Sequence, residues 1–195
     1  MFLAGPGYGR PGGGRCSVPC ATRALAEAGP AYHAAEAVTL ESFDTLAPYL
    51  KVPGEIEPVL DAANGMAGST LAGVAHHIRI SETDARAGGR CAVYTAENTL
   101  DANTGWSVFG KSFNPPLNLS AHQAIGFWLK GDGKGGLFKL QMLDGVKATD
   151  FYITNDYEGW RYHQIPRPET DPIDYSLVRV LNFYYNGLPA NTTVS

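Results

Sequence analysis

The chain has 195 residues, of which 17% are charged, and a formal net charge of −4 at pH 7. This length fits one domain with a sizeable core. The weakly acidic balance gives no electrostatic footprint for nucleic acid or for an anionic membrane surface, and no run of about 18 apolar residues could span a bilayer. The 23 glycines and 13 prolines favour a turn-rich all-β protein over a helical bundle.

Residues 1–35 are rich in glycine and proline and then in alanine. They contain too few apolar side chains to offset the entropy of ordering, so we expect a linker or a disordered head. The apolar stretch at the start is too short for a secretory signal, and no basic segment precedes it. The three cysteines, Cys16, Cys20 and Cys91, are too few for a zinc site or a disulfide framework.

Residues 36–195 are predicted to form the domain, because short strand-like runs there alternate with turn residues. The pattern begins at AVTLESF, and the further runs are LAGVAHHIRI, CAVYTA, WSVFGKSF, QAIGFWLK, LFKLQML, TDFYIT, WRYHQI and LVRVLNFYY. No segment between them has the length and period of a crossover helix. About nine short strands at fairly even spacing predict a β-sandwich or a barrel.

Gly131, Gly133 and Gly136 have the spacing of a dinucleotide-binding loop. Such a loop must open a helix, whose N-terminus holds the pyrophosphate. The segment that follows, LFKLQML, alternates like a strand instead. We therefore expect the loop to turn a hairpin between QAIGFWLK and LFKLQML.

Three segments carry a family resemblance by their order: PPLNLSAHQAIGFWLKGDGKGGLFKLQMLDG, DFYITNDYEGWRYHQIPRPE and LVRVLNFYYNGLP. Together they resemble the galactose-binding-like jelly rolls that serve as non-catalytic carbohydrate-binding modules of glycoside hydrolases. They are also similar to the complex I intermediate-associated protein family, which shares that fold. The resemblance covers about residues 38–195 and implies a jelly-roll β-sandwich of two antiparallel sheets.

The resemblance carries three further expectations. It implies an extracellular or periplasmic location and a place within a larger carbohydrate-active protein. Members of this fold usually end in a further strand that carries an acidic residue and lies near the first strand. This chain stops at NTTVS, where such a strand would begin, so we expect the domain to lack its last strand.

Sugar recognition needs flat aromatic surfaces and a few planar polar groups. If the hairpin forms, strand parity puts Trp128 and Gln141 on one face, opposite Phe127 and Leu140. The predicted carbohydrate-binding residues are Trp128, Lys139, Gln141, Asp150, Tyr152, Asn182 and Tyr184, with Arg161 as a further donor and Trp106 at a loop edge. The alternative is an ordinary solvated sheet face, with a structural ion pair for Arg161 and packing for Trp106.

Asp44, with Glu41 as its neighbour, falls where the resembling modules place an acidic ligand on the first strand. The resemblance thus implies a structural calcium ion, and oxygen ligands at a strand end suit that ion. The alternative is a carboxylate that caps the turn TLAPYL. His76 and His77 are adjacent in a strand, so they point to opposite faces and cannot hold one metal together.

No catalytic constellation stands out. Asp150, Asp156 and Glu158 are close in sequence, but their spacing does not assign an acid and a nucleophile. We predict a non-catalytic module that binds a polysaccharide or oligosaccharide, as a monomer or as a domain of a larger chain, with no nucleic-acid or membrane partner. Two alternatives stay open: a jelly-roll glycoside hydrolase or polysaccharide lyase, and an assembly module similar to the complex I intermediate-associated family.

Overall fold

The computed structural model describes residues 2–5, 33–49, 70–86 and 89–195. The strands in these ranges are β1 (Phe2–Gly5), β2 (His33–Thr39), β3 (Val74–Ser81), β4 (Cys91–Asn98), β5 (Gly105–Leu117), β6 (Ala124–Asp132), β7 (Gly136–Leu143), β8 (Ala148–Asn155), β9 (Glu158–Pro166), β10 (Val178–Leu188) and β11 (Thr192–Val194). Two one-turn 3-10 helices span Ala47–Tyr49 and Tyr175–Leu177. No helix in the described ranges is long and apolar enough to cross a membrane.

The strands form two packed layers. One layer, termed the front sheet, has the strand order β5-β10-β7-β8. The other, termed the back layer, consists of the sheets β11-β4-β3 and β2-β1-β6-β9. Tyr94 of β4 lies against Phe109 of β5, with ring centroids 4.7 Å apart, and Phe127 of β6 lies 6.4 Å from Phe138 of β7. The predicted antiparallel β-sandwich is therefore confirmed. Its back layer consists of two separate sheets.

Two long antiparallel ribbons fold over from one layer to the other. In the first ribbon, the pairing of β6 with β9 ends at Asp132 and Glu158, and the pairing of β7 with β8 begins at Gly136 and Asn155. The second ribbon pairs β5 with β10 in the front sheet and β4 with β11 in the back layer. Folded ribbons of this kind make a double-sheet jelly roll.

The prediction of a hairpin at residues 131–136 is wrong. β6 and β7 lie in different layers, so this loop is the bend of the first ribbon. The hairpin turn of the ribbon lies between β7 and β8, where Asp144 N donates to Lys147 O at 3.2 Å. The expectation that a strand follows the glycine-rich loop is confirmed, because Gly136 begins β7.

The core lies between the layers and is rich in aromatic residues. The front sheet contributes alternate residues of each strand, and one row across it is Phe109, Phe183, Leu140 and Phe151. Phe109 and Phe183 stack with centroids 4.8 Å apart. Because side chains alternate across a strand, the residues between these core positions point to the outer face of the same sheet.

The N-terminal part of the chain contains two strands. β1 lies within the segment that the composition predicts as a linker or head, and β2 begins inside that segment at His33. Residues 6–32, with Cys16 and Cys20, lie outside the described residues. The domain boundary near residue 35 therefore stays a prediction.

Candidate functional site

The outer face of the front sheet carries two rows of mostly polar side chains. In one row, Asn182 of β10 lies beside Gln141 of β7, which lies beside Asp150 of β8. In the second row, two residues away along each strand, Tyr184 of β10 lies beside Lys139 of β7, which lies beside Tyr152 of β8. We term this surface the network face, defined by Asn182, Gln141, Asp150, Tyr184, Lys139 and Tyr152.

Gln141 is at the centre of a hydrogen-bond network. Its Nε2 donates to Asp150 Oδ1 at 2.9 Å, and its Oε1 accepts from Asn182 Nδ2 at 3.0 Å and from Tyr184 Oη at 3.2 Å. Asp150 Oδ2 also accepts from Tyr152 Oη at 2.9 Å. The amide and carboxylate planes are therefore held in one orientation by the protein itself.

Lys139 is a charged residue that is only 8% exposed. Its Nζ lies 3.5 Å from Asp150 Oδ2 and 4.0 Å from the centroid of the Tyr184 ring. The ion pair and the cation–π contact offset the cost of removing the ammonium from water. Burial and the nearby charge of Asp150 raise the pKa of Tyr184, so its phenol donates as a neutral group.

Asn182 supplies an acceptor with no hydrogen-bond partner in the described structure. The residue is 3% exposed, and its Oδ1 is buried and unpaired, while its Nδ2 donates to Gln141. A buried polar atom without a partner costs about 1–3 kcal/mol.

Two further aromatic side chains lie beside Tyr184 and Lys139, at the β5 and β8 ends of the network face. On the β5 side, Trp106 packs on the buried pair Val108 and Tyr184, so the predicted Trp106 does lie on this face of the sheet. On the β8 side, Tyr152 is 52% exposed. Flat apolar surface thus adjoins fixed polar groups, as in sites that bind sugar rings.

The structure does not bring Trp128 and Arg161 to the network face. Trp128 lies on β6 in the back layer, where the guanidinium of Arg86 stacks on its ring at 4.5 Å. Arg161 lies on β9, with its guanidinium 3.9 Å from the centroid of the Tyr157 ring. The prediction that Trp128 shares a face with Gln141 is wrong, because strand parity relates residues only within one sheet.

The residues expected to bind calcium have other partners. Glu41 is 6% exposed, its Oε2 lies 2.7 Å from Lys111 Nζ, and it also accepts from Tyr49 Oη. Asp44 Oδ2 accepts from Ser42 Oγ at 2.7 Å. The described ranges contain no cluster of three or more histidine, cysteine, aspartate or glutamate side chains that could hold a metal. Because a lysine already neutralises Glu41, these residues do not fit a calcium site.

The adjacent histidines of β3 behave as the alternation predicts. His76 is half-buried with its ring 6.1 Å from that of Tyr94, and His77 is exposed. The expectation that they point to opposite faces is confirmed.

A cleft lies in the back layer. It has a volume of about 570 Å³ and separates β4 from β6, and its lining includes Tyr94, Phe109, Phe127, Phe138, Phe183 and Tyr185. No local sequence signal marks it, because it lies between strands that are distant in the chain.

No protein-family model matches this chain, and no curated protein matches it. Among solved structures, a chain from work on the promiscuous specificity of carbohydrate-binding modules of the β-sandwich superfamily is similar, with a TM-score of 0.45 and 9% identity. The match covers 65% of this chain and 52% of that one, so this chain spans about half the length of that structure. The galactose-binding-like family stays a resemblance in sequence.

Proposed function

We propose that the chain binds a polysaccharide or oligosaccharide on the network face and does not cleave it. The observation that carries this proposal is the set of amide, carboxylate and phenol groups held around Gln141 beside an exposed tyrosine. Sugar hydroxyls both donate and accept, and planar amides and carboxylates can pair with two neighbouring hydroxyls. Groups that are fixed before binding lose less entropy when the ligand arrives.

Tyr152 is the contact that we expect to matter most. Tyr152 presents an exposed ring for stacking, which contributes on the order of 1 kcal/mol beyond area burial. Asn182, which is 3% exposed, holds the Gln141 amide in place through its Nδ2 donor. We expect modest affinity, because the exposed end of the face keeps water around the ligand.

Binding without cleavage is favoured by the shortage of carboxylates. Asp150 is the one carboxylate that the four strands of the front sheet place on the outer face. It already accepts from Gln141 and Tyr152. Most glycosidases need two carboxyl groups flanking the scissile bond.

From the sequence resemblance, we further propose a β-glucan-like ligand and a role within a larger carbohydrate-active protein.

Affinity electrophoresis on a panel of soluble polysaccharides tests the proposal. We expect retardation on at least one of them, and about tenfold weaker binding for Tyr152→Ala and for Gln141→Ala, equivalent to about 1.4 kcal/mol. Tyr162→Ala is the matched control, because Tyr162 is a half-buried tyrosine on β9 in the back layer. Trp128→Ala should also keep full binding.

Three results would decide against it. Migration unchanged by every polysaccharide would contradict carbohydrate binding and favour an assembly module. Release of reducing ends from a bound glucan would establish an enzyme. Equal losses in Tyr152→Ala and Tyr162→Ala would show that the network face is not the site.

A further inference from the structure

The two rows of the network face carry one positive and one negative charge. These belong to Lys139 of β7 and Asp150 of β8, whose Nζ and Oδ2 atoms lie 3.5 Å apart. The neighbouring rows of the front sheet contain uncharged residues at the same strands: Val180, Leu143 and Ala148 on one side, and Asn186, Leu137 and Thr154 on the other. The two charges offset each other, so the network face carries no net charge.

The two charges differ in their access to a bound molecule. The side chain of Asp150 is 29% exposed, whereas that of Lys139 is 10% exposed. The Lys139 ammonium is directed inward, at Asp150 and at the ring of Tyr184, whose centroid lies 4.0 Å away. The charge that a ligand on this face contacts is therefore the carboxylate.

The Asp150 carboxylate accepts hydrogen bonds and donates none. Its Oδ1 accepts from Gln141 Nε2 and its Oδ2 accepts from Tyr152 Oη, both at 2.9 Å. An ionised carboxylate has about four lone-pair sites, so these bonds leave room for a sugar hydroxyl to donate. A carboxylated sugar brings a second anion instead, and like charges placed side by side in an interface are unfavourable. The cation that would offset this repulsion is already paired with Asp150.

We propose that Asp150 makes the network face selective for uncharged glycans and excludes glycans that carry carboxylate groups. This inference rests on the proposed carbohydrate binding and adds the charge class of the ligand. Specificity of this kind comes from a repulsive group against the wrong ligand, not from a better contact with the right one. Lys139 limits the repulsion, because its ammonium offsets part of the field of the carboxylate.

Calorimetric titration at neutral pH with two derivatives of one polysaccharide tests the proposal. The starting polymer is the neutral polysaccharide of the panel that retards the wild type most, substituted to the same degree with either hydroxyethyl or carboxymethyl groups. These substituents are similar in size and differ in charge. We expect the carboxymethyl polymer to bind about tenfold more weakly at low salt, and about twofold or less at about 1 M salt, where the Debye length is about 3 Å.

The outcomes separate this inference from the proposed function. Equal affinities for the two derivatives at low salt would overturn the charge selectivity and leave carbohydrate binding intact. A difference that salt does not reduce would also overturn it, because the discrimination would then not be electrostatic. Absence of binding to every polysaccharide of the panel would contradict the proposed function and this inference together.

Asp150→Asn should bring the two affinities to within about threefold of each other, because it removes the repelling carboxylate. The ratio is the readout, since this substitution also removes a hydrogen-bond acceptor and weakens binding of both polymers. Glu97→Gln is the matched control, because Glu97 is exposed on β4 in the back layer and the net charge changes equally. This control should keep the wild-type ratio. An equal fall in both variants would assign the selectivity to the net charge of the protein and overturn the proposal.

Lys139→Met provides a second test that does not need the Asp150 variant to fold. Without the ammonium, Asp150 is no longer neutralised, so the preference for the hydroxyethyl polymer should grow about threefold over that of the wild type. An unchanged or smaller preference would mean that Asp150 does not repel the ligand.

Discussion

Asn182 and Gln141 lie side by side on β10 and β7, and Asn182 Nδ2 donates to Gln141 Oε1 at 3.0 Å. Gln141 Nε2 in turn donates to Asp150 Oδ1 of β8. One side chain therefore connects three neighbouring strands on the network face. Because Asn182 is buried, this contact contributes to folding as well as to the proposed binding surface.

Gln141→Leu should destabilise the fold by about 1–3 kcal/mol, because it leaves the buried Asn182 amide without its side-chain partner. Urea denaturation monitored by circular dichroism measures the change. Thr154→Leu, at an exposed position on the same face of β8, is the control and should stay within about 0.5 kcal/mol of the wild type. Equal effects of the two substitutions would mean that the network does not support the fold.

The strand pattern was predictable from the sequence, whereas the assignment of strands to layers was not. The alternation of Phe138, Leu140 and Met142 is local, and it identified the two faces of β7 correctly. Whether the loop before β7 is a hairpin or a bend depends on the pairing of β6 with β9, which is far away in the chain. Trp128 was therefore placed on the wrong surface although its own strand was predicted.

Gly131→Ala should cost about 3 kcal/mol of stability, because a Cβ at Gly131 would lie 2.2 Å from Tyr157 O across the ribbon bend. Gly135→Ala is the matched control. Gly135 has φ +80° and no atom near its Cβ position, so the cost there is about 1 kcal/mol from the left-handed backbone alone. Chemical denaturation of both variants separates the two causes, and equal losses would refute the close approach.

Lys111→Met should destabilise the protein by about 3 kcal/mol, because it leaves the buried Glu41 carboxylate without its cation. The double variant with Glu41→Gln should recover part of the loss, since it removes the charge as well. Lys147→Met, at an exposed position, should have little effect. A double variant whose loss equals the sum of the single losses would show that the two residues do not interact.

The same ion pair bears on the calcium ion that the family resemblance implies at Asp44 and Glu41. Asp44 and Glu41 are close in the chain, but Lys111, which neutralises Glu41, lies on the distant strand β5. We expect a large excess of calcium chloride, or its removal by a chelator, to change the melting temperature by less than about 1 °C. A rise with calcium that the chelator reverses would contradict the assignment of Glu41 to Lys111.

His163 should make stability depend on pH in the mildly acidic range. Its Nε2 lies 2.7 Å from Tyr157 Oη, and its ring stacks on Phe127 with centroids 5.6 Å apart. Burial, and then the positive charge of Arg161, lower the pKa of His163 below 6.5. The unfolded chain therefore binds a proton more readily, so the stabilisation is complete above about pH 6.5 and is lost as the pH falls through the lower folded-state pKa.

Melting temperatures measured between neutral pH and about pH 5 test this dependence. His163→Phe should flatten the acid-side decrease, because the variant has no group at this position that protonates on unfolding. His77→Phe, which replaces an exposed histidine of β3, should keep the wild-type slope. If His163→Phe and the wild type lose stability in parallel, other groups cause the acid sensitivity, and the neutral His163 ring contributes only through packing.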